Sequence, residues 1–304
     1  MITHLYIDNF KTLIDFNLPC NVLTCLIGLN NSGKTTIIQA FDFLSFVASG
    51  KVSAFLQQRD WQIEEIKSYQ LKNRQSINYN LLFLLNDNTY SWSGSFNLKS
   101  LCCTSEKIIR NNKEVLLNVK LDSYQLQNKP VKSIDFTYEG SILSFLKEKL
   151  IGKELIETKK FLTSMKCLEL LSTNLIRKPV KQSDYSVMRG GEKLAAFLCQ
   201  LSNQKKERIS KQLRYLFKKF RTYEVTTDES RWKELFISEN SHKHDIHIDS
   251  KHISDGLLRL LVIFSQLQTD YSVLLFDEVE NGINHEFMEY TIDSIKKTNH
   301  FHHA

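Results

Sequence analysis

Gly28-Leu29-Asn30-Asn31-Ser32-Gly33-Lys34-Thr35-Thr36 is the stretch on which the reading of this chain turns. It satisfies G-x-x-x-x-G-K-[ST] at every fixed position, in a chain with only 10 glycines among 304 residues. Before it, Val22-Leu23-Thr24-Cys25-Leu26-Ile27 reads as a buried strand. After it, Thr36-Ile37-Ile38-Gln39-Ala40-Phe41-Asp42-Phe43-Leu44 reads as a helix. Strand, glycine loop and helix start together make a phosphate cradle, because backbone N–H groups and the positive helix end face the anion. Gly28, Asn30, Asn31, Ser32, Gly33, Lys34, Thr35 and Thr36 line it. Lys34 reaches β- and γ-phosphates, and the Thr35 hydroxyl is placed to ligate magnesium. The expected ligand is a nucleoside triphosphate.

Far along the chain, Tyr271-Ser272-Val273-Leu274-Leu275-Phe276-Asp277-Glu278 is an apolar strand ending in two carboxylates. An Asp at such a strand end holds the magnesium in phosphoryl-transfer sites of this architecture, so Asp277 joins Thr35 as a metal ligand. Glu278 next to it can take a proton from the attacking water, which makes it catalytic together with Lys34. The structural alternative is an acidic strand end facing solvent. Just upstream, Ser254-Asp255-Gly256 opens the apolar helix Leu257-Leu258-Arg259-Leu260-Leu261. Ser254 or Asp255 is a sound N-cap by itself. Its place shortly before the carboxylate strand raises a functional reading, in which Ser254, Asp255 and Gly256 touch nucleotide.

Hydrophobic residues at 42% and aromatics at 11% are ample for a packed core and exclude global disorder. A net charge of +6 and a pI near 8.8 permit contact with nucleic acid without requiring it. The six cysteines show no C-x-x-C pair, so they read as buried free thiols in a reducing compartment. No signal peptide precedes Ile2, and no apolar run approaches a membrane span, so the expectation is a soluble cytoplasmic protein with no membrane partner.

Residues 2–27 read as three strands, Ile2–Ile7, Leu13–Phe16 and Val22–Ile27, and the helix after the loop stops near Gly50. From Ile77 the period changes to two. Ile77, Tyr79, Leu81, Phe83 and Leu85 alternate with polar residues, Asn86-Asp87-Asn88 turns the chain, and Tyr90, Trp92 and Phe96 alternate back. A second hairpin turns at Arg110-Asn111-Asn112-Lys113. Residues 144–220 are mainly helical in period, with a basic amphipathic segment at 205–221. Strands return at Glu224–Thr226, Leu235–Ser238 and His244–Ile248, followed by helix 256–268, strand 271–277 and helix 284–297.

With these motifs in this order, the chain resembles the ATP-binding-cassette branch of P-loop ATPases, and within it the SMC/RecF/OLD-like AAA family ATPases of prokaryotes. The strand opening Ile7-Asp8-Asn9-Phe10-Lys11-Thr12-Leu13 is similar to that family's. Gly28–Thr36 matches its Walker A, and Gly190-Gly191-Glu192-Lys193 onward resembles a helical-region motif of OLD-like members. Ser254-Asp255-Gly256 matches the signature, Asp277-Glu278 the Walker B, and Glu280-Asn281-Gly282-Ile283 the D-loop.

The resemblance covers nearly the whole chain. It implies an α/β P-loop NTPase of ABC-ATPase type, with a mixed core sheet, an antiparallel β layer and a helical insertion. The chain then reads as one ATPase head over 1–304, with lobes at 1–143, 144–221 and 222–304. The resemblance also implies ATP as ligand; the motifs themselves do not distinguish ATP from GTP, since no base-reading element is identifiable. Two heads would stack head-to-tail as a homodimer, with ATP on Lys34 and Thr35 of one meeting Ser254 and Gly256 of the other, and hydrolysis separating them.

The departures from the pattern carry expectations too. Val279 stands where the family has Pro and Asn284 where it has His. Gln57 and Gln58 are the candidates for the Q-loop. Relatives continue past the final helix into a further strand and a switch His, whereas this chain ends at Asn299-His300-Phe301-His302-His303-Ala304. That predicts a truncated or split product that binds ATP and is impaired in hydrolysis. No Toprim region follows, so nuclease or toxin activity would belong to a separate effector chain.

Two readings stand: an ATPase switch acting on nucleic acid or an effector in DNA maintenance or anti-phage defence, and a non-hydrolysing ATP-binding scaffold. A transporter subunit is disfavoured by Ser-Asp-Gly in place of Ser-Gly-Gly-Gln. The basic segment at 205–221 is a DNA-contact candidate or an ordinary solvated helix face. His242, His244 and His247 read as a solvated strand and not as a metal site, because no cysteine cluster completes one.

Overall fold

The computed structural model describes residues 1–169, 171–181, 187–241 and 244–301, with side chains to residue 297. The chain divides into two compact units. The first comprises Met1–Cys167 and Tyr271–Leu275, and the second Leu168–Asp270 and Phe276–Ala304.

In chain order the first unit holds β1 (Ile2–Asp8), β2 (Phe16–Pro19), α1 (Lys34–Ser49), α2 (Val52–Gln57) and β3 (Ser76–Leu85). Then come β4 (Asn88–Asn97), β5 (Cys102–Arg110), β6 (Glu114–Lys120), β7 (Ser123–Leu126) and β8 (Lys132–Ser133). α3 (Ile142–Phe145), α4 (Lys153–Thr163) and β9 (Met165–Leu168) follow. Eight strands form one antiparallel sheet in the order β2-β1-β3-β4-β5-β6-β7-β8. The alternation from Ile77 gives it: Ile77, Tyr79, Leu81 and Phe83 face the core and pair with Phe96, Gly94, Trp92 and Tyr90. Asn86 and Asp87 both take positive φ, 49° and 59°, which the tight β3–β4 turn requires and which Asn and Asp tolerate. Asn111 and Asn112 repeat the device between β5 and β6. α1 packs on this layer, with Phe43 stacked on Phe10 and edge-on to Phe96, both at 5.3 Å between ring centres.

Two expectations are corrected in this unit. The second strand is Phe16–Pro19, because Phe10 and Leu13 exchange backbone hydrogen bonds around Lys11 and delay the strand. Val22–Ile27 is neither a strand nor buried: Val22 is 46% exposed and Ile27 91%. Its apolar, partly β-branched sequence has strand propensity, but a strand also needs a neighbour for its backbone groups. Among the described residues no strand pairs with it.

The second unit holds α5 (Thr173–Ile176), α6 (Leu194–Gln200), α7 (Asn203–Leu216), β10 (Phe220–Thr227), β11 (Lys233–Glu239), β12 (Ile246–Asp249) and α8 (Asp255–Gln266). β13 (Val273–Phe276), whose first residues belong to the first unit, pairs with β9, and α9 (His285–Phe301) follows. β10, β11 and β12 make an antiparallel sheet in that order. α8 is apolar almost all round and is buried from Leu257 to Gln266 except at Arg259. Ile209 and Leu213 of α7 are fully buried on the apolar side of the amphipathic segment. Phe287 and Tyr290 of α9 meet Phe217 and Tyr215 at 5.1 and 4.5 Å.

Between residues 144 and 220 the helices α4 to α7 are interrupted by strand β9 and by the turns around Arg189–Gly191, where Gly191 sits at φ 91°. All six cysteines are free, but only Cys103 and Cys167 are buried, and Cys25 is exposed with the segment that carries it.

Candidate nucleotide site

The Gly28–Thr36 loop is a turn that feeds directly into α1. Gly33 is the N-cap with φ 91°, a left-handed value that glycine adopts without strain, and Asn31 takes φ 66°. A Cβ on Gly28 would sit 2.9 Å from Ser32 Oγ, so the loop closes tightly at that point. Lys34 folds back and donates to the carbonyls of Gly28 and Leu29, both at 2.8 Å. Its ammonium is therefore held over the concave side of the loop, where phosphate oxygens can take the place of those carbonyls. Thr35 is exposed at the helix start. Gly33 and Asn31, both at positive φ, turn the loop into the start of α1, and Thr35 offers the hard oxygen that magnesium prefers.

Gln57 and Gln58 both lie exposed at the end of α2. Alongside, Lys11 donates to Gln39 Oε1 at 3.2 Å and lies 3.6 Å over the Trp61 ring.

In the second unit Asp277 follows β13 and is buried, with its N–H bonded to the Leu168 carbonyl at 2.9 Å. Glu278 is exposed and takes φ 48°, an unusual backbone for a non-glycine residue and one that turns its side chain away from the strand line. Asn281 secures it twice. Its N–H donates to the Glu278 carbonyl at 2.9 Å, and its Nδ2 to Glu278 Oε2 at 3.2 Å. Arg259 of α8 in turn donates from Nη1 to the Asn281 carbonyl at 2.9 Å. A Cβ on Gly256 would lie 3.1 Å from the Gly282 carbonyl, so the first turn of α8 and the loop after Glu278 press together.

Ser254 is the N-cap of α8, yet its hydroxyl makes no capping bond and the residue is exposed. Asp255 turns to Arg177, with Nη2 2.5 Å from Oδ1, and Thr173 Oγ1 donates to its other oxygen at 3.1 Å. The guanidinium and then the Thr173 hydroxyl hold the Asp255 carboxyl below the usual carboxylate range. Arg177 also donates to the carbonyls of Ser250 at 3.2 Å and Ile253 at 2.8 Å. Sequence reasoning missed both arginines. Arg259 carried a signal, since it lies one turn past Asp255 and Gly256 on the same helix. Arg177 carried none, because its partners are 73–78 positions away.

Glu192 in the Gly190–Lys193 segment accepts from its own Gly190 N–H at 2.9 Å, making a local turn before α6. His247 lies 3.4 Å from Ser238 Oγ, whereas His242 falls outside the described residues, as do His302, His303 and Ala304. Among the described residues no helix is long and apolar enough to cross a membrane.

The family match makes the chain an ABC-type P-loop ATPase. The chain belongs to the family described as "AAA domain, putative AbiEii toxin, Type IV TA system", which matches residues 23–290. It is 43% identical over 44 residues to an OLD nuclease of Thermus scotoductus, a stretch covering 14% of this chain and 8% of that protein. It is 45% identical over 42 residues to the nickel import ATP-binding protein NikO of Rhodobacter capsulatus, covering 14% and 16%. The matched stretches are thus a small part of both curated relatives. Among solved structures, the SMC head domain from Thermotoga maritima aligns over 98% of this chain and 84% of its own, at TM-score 0.45 and 15% identity. The recombination mediator protein RecF with ATPrS, in the RecFOR pathway, aligns over 97% and 90%, at TM-score 0.44 and 12% identity.

Proposed function

We propose that this chain is an ATP-hydrolysing head that pairs with a second copy when ATP binds and acts as a switch. The observation that carries the reading is the start of α8. Its N-cap hydroxyl on Ser254 makes no capping bond, Ser254 and Asp255 are exposed, and the Asp255 carboxylate is tied to Arg177. Such a helix start is suited to receive an anion from outside the unit. In the paired state that anion is the γ-phosphate of ATP held by the partner copy.

In this reading Lys34 and the N–H groups of Gly28–Thr36 bind the β- and γ-phosphates. Thr35 and Asp277 would hold Mg2+, which when bound offsets charge on the phosphate oxygens. Glu278 accepts a proton from water as the water oxygen bonds to the γ-phosphorus and the bond to the ADP oxygen breaks. Ser254 and Gly256 complete the partner's site, and Asn281 keeps Glu278 aimed.

The family description and the OLD nuclease likeness favour a role in anti-phage defence or DNA maintenance. DNA contact is assigned to α7 and the residues after it, where Arg208, Lys211, Lys218 and Lys219 are exposed. Binding of a duplex oligonucleotide across a salt series, with and without ATP, tests it, and affinity indifferent to salt would contradict it. Turnover of ATP by the purified protein, lost in Glu278→Gln, tests the enzymatic claim. Binding of ATP without any turnover would favour the scaffold reading.

A further inference from the structure

A carboxylate at the first position of a helix is favourable to the helix but hostile to an incoming polyphosphate. Asp255 holds that position on α8, with its side chain 56% exposed. Placed one residue after Ser254, its charge would oppose the anion that the proposed function brings there. Arg177 removes the conflict. Its side chain, 19% exposed, pairs with Asp255 through Nη2 and donates from Nε and Nη2 to the carbonyls of Ser250 and Ile253. The Arg177 carbonyl also accepts from Ser250 Oγ at 3.0 Å. One residue thus bridges both sides of the turn that presents Ser254 and neutralises its acidic neighbour.

We infer that Arg177 is a positioning residue for the signature turn, and that Asp255 is its strut instead of a nucleotide ligand. The inference rests on the head-to-tail reading above and names what makes the α8 start acceptable to phosphate. Arg177 acts on pairing between copies, not on ATP binding to the Gly28–Thr36 loop. The two effects can be separated, because the loop lies in the first unit and all of the partners of Arg177 named here lie in the second.

The test uses the full chain in a Glu278→Gln background, which holds ATP unhydrolysed. Three further variants are compared: Arg177→Met, Asp255→Asn, and the two together. Monomer binding of a fluorescent ATP analogue, thermal midpoint and ATP-dependent dimerisation are measured for each. Arg177→Met should leave analogue binding within about twofold and weaken dimerisation by about tenfold or more, the scale of one lost charge-assisted contact. Asp255→Asn should dimerise nearly as the parent does, and added to Arg177→Met it should restore a substantial part of the loss, because it removes the repelling charge. Rescue of this kind would not follow if Arg177 served only to hold the unit together.

Unchanged dimerisation in Arg177→Met would overturn the inference alone. A loss of dimerisation that Asp255→Asn fails to rescue, or that comes with equal losses of analogue binding and thermal midpoint, would also overturn it. Absence of an ATP-dependent dimer in the parent would overturn both the inference and the reading beneath it.

Discussion

Asn281 donates to both the backbone and the carboxylate of Glu278 while its own carbonyl accepts from Arg259. The loop after β13 is thereby tied to the helix that begins after Ser254. Two hydrogen bonds in series, from Arg259 to Asn281 and from Asn281 to Glu278, link α8 to Glu278. Asn281→Ala should therefore lower kcat about tenfold with KM for ATP little changed, since a misaimed base costs the chemical step more than binding. Steady-state kinetics at saturating ATP and Mg2+ check this, and a rise in KM alone would contradict the assignment.

Gly282 sits at φ 68°, and a Cβ there would lie 3.0 Å from Arg259 Nε. Gly282→Ala should thus combine left-handed strain of about 1 kcal/mol with displacement of Arg259. We expect a lower thermal midpoint and a fall in kcat similar to that of Asn281→Ala. Calorimetry and kinetics on the same preparation separate the two effects.

Lys34 is bound to the loop carbonyls of Gly28 and Leu29, so it shapes the loop as well as binding phosphate. Lys34→Ala should cut affinity for ATP by about a hundredfold, the scale of two charge-assisted bonds. It should also speed amide exchange at residues 28–32 in protein without nucleotide. An unchanged exchange pattern would mean that the lysine is not holding the loop.

Glu106 is buried under the β layer, where it accepts from Trp92 Nε1 at 2.8 Å, Ser141 Oγ and the Ile142 N–H at 3.1 Å. Burial pushes its carboxyl above its ordinary value of 4.5 despite these bonds. The folded protein then binds a proton that the unfolded chain has released, so the contribution of this group to stability is full below about pH 4.5 and is lost as pH rises through the raised folded value. Glu106→Gln should flatten that part of the profile. Urea midpoints from mildly acidic to neutral pH, compared between the two proteins, test it, and parallel profiles would contradict it.

The hairpins were legible because a half-buried sheet imposes a period of two, and Ile77 through Phe96 obeys it on both strands. The boundaries of α1 and the start of α8 were legible from glycine and serine placement. Val22–Ile27 was misread because six strand-forming residues state a propensity, while strand formation depends on a neighbour that local sequence does not display. Lys34, Thr35, Asp277 and Glu278 are candidates by residue type in a set order. The supports are not. Arg177 lies in Leu175-Ile176-Arg177-Lys178, an unremarked stretch, and only folding brings it to Ser250, Ile253 and Asp255. The left-handed backbone of Glu278, held by Asn281 at its carbonyl and its carboxylate, likewise had no signal in the local sequence.

The central claim, that ATP joins two heads through Ser254 of one and Lys34 of the other, is tested most directly by the mass of Glu278→Gln in solution. Light scattering after gel filtration should give a monomer without nucleotide and a dimer with ATP and Mg2+, and Ser254→Arg should abolish the dimer without affecting ATP binding. A monomer under both conditions, or a dimer indifferent to ATP and to Ser254→Arg, would contradict the account.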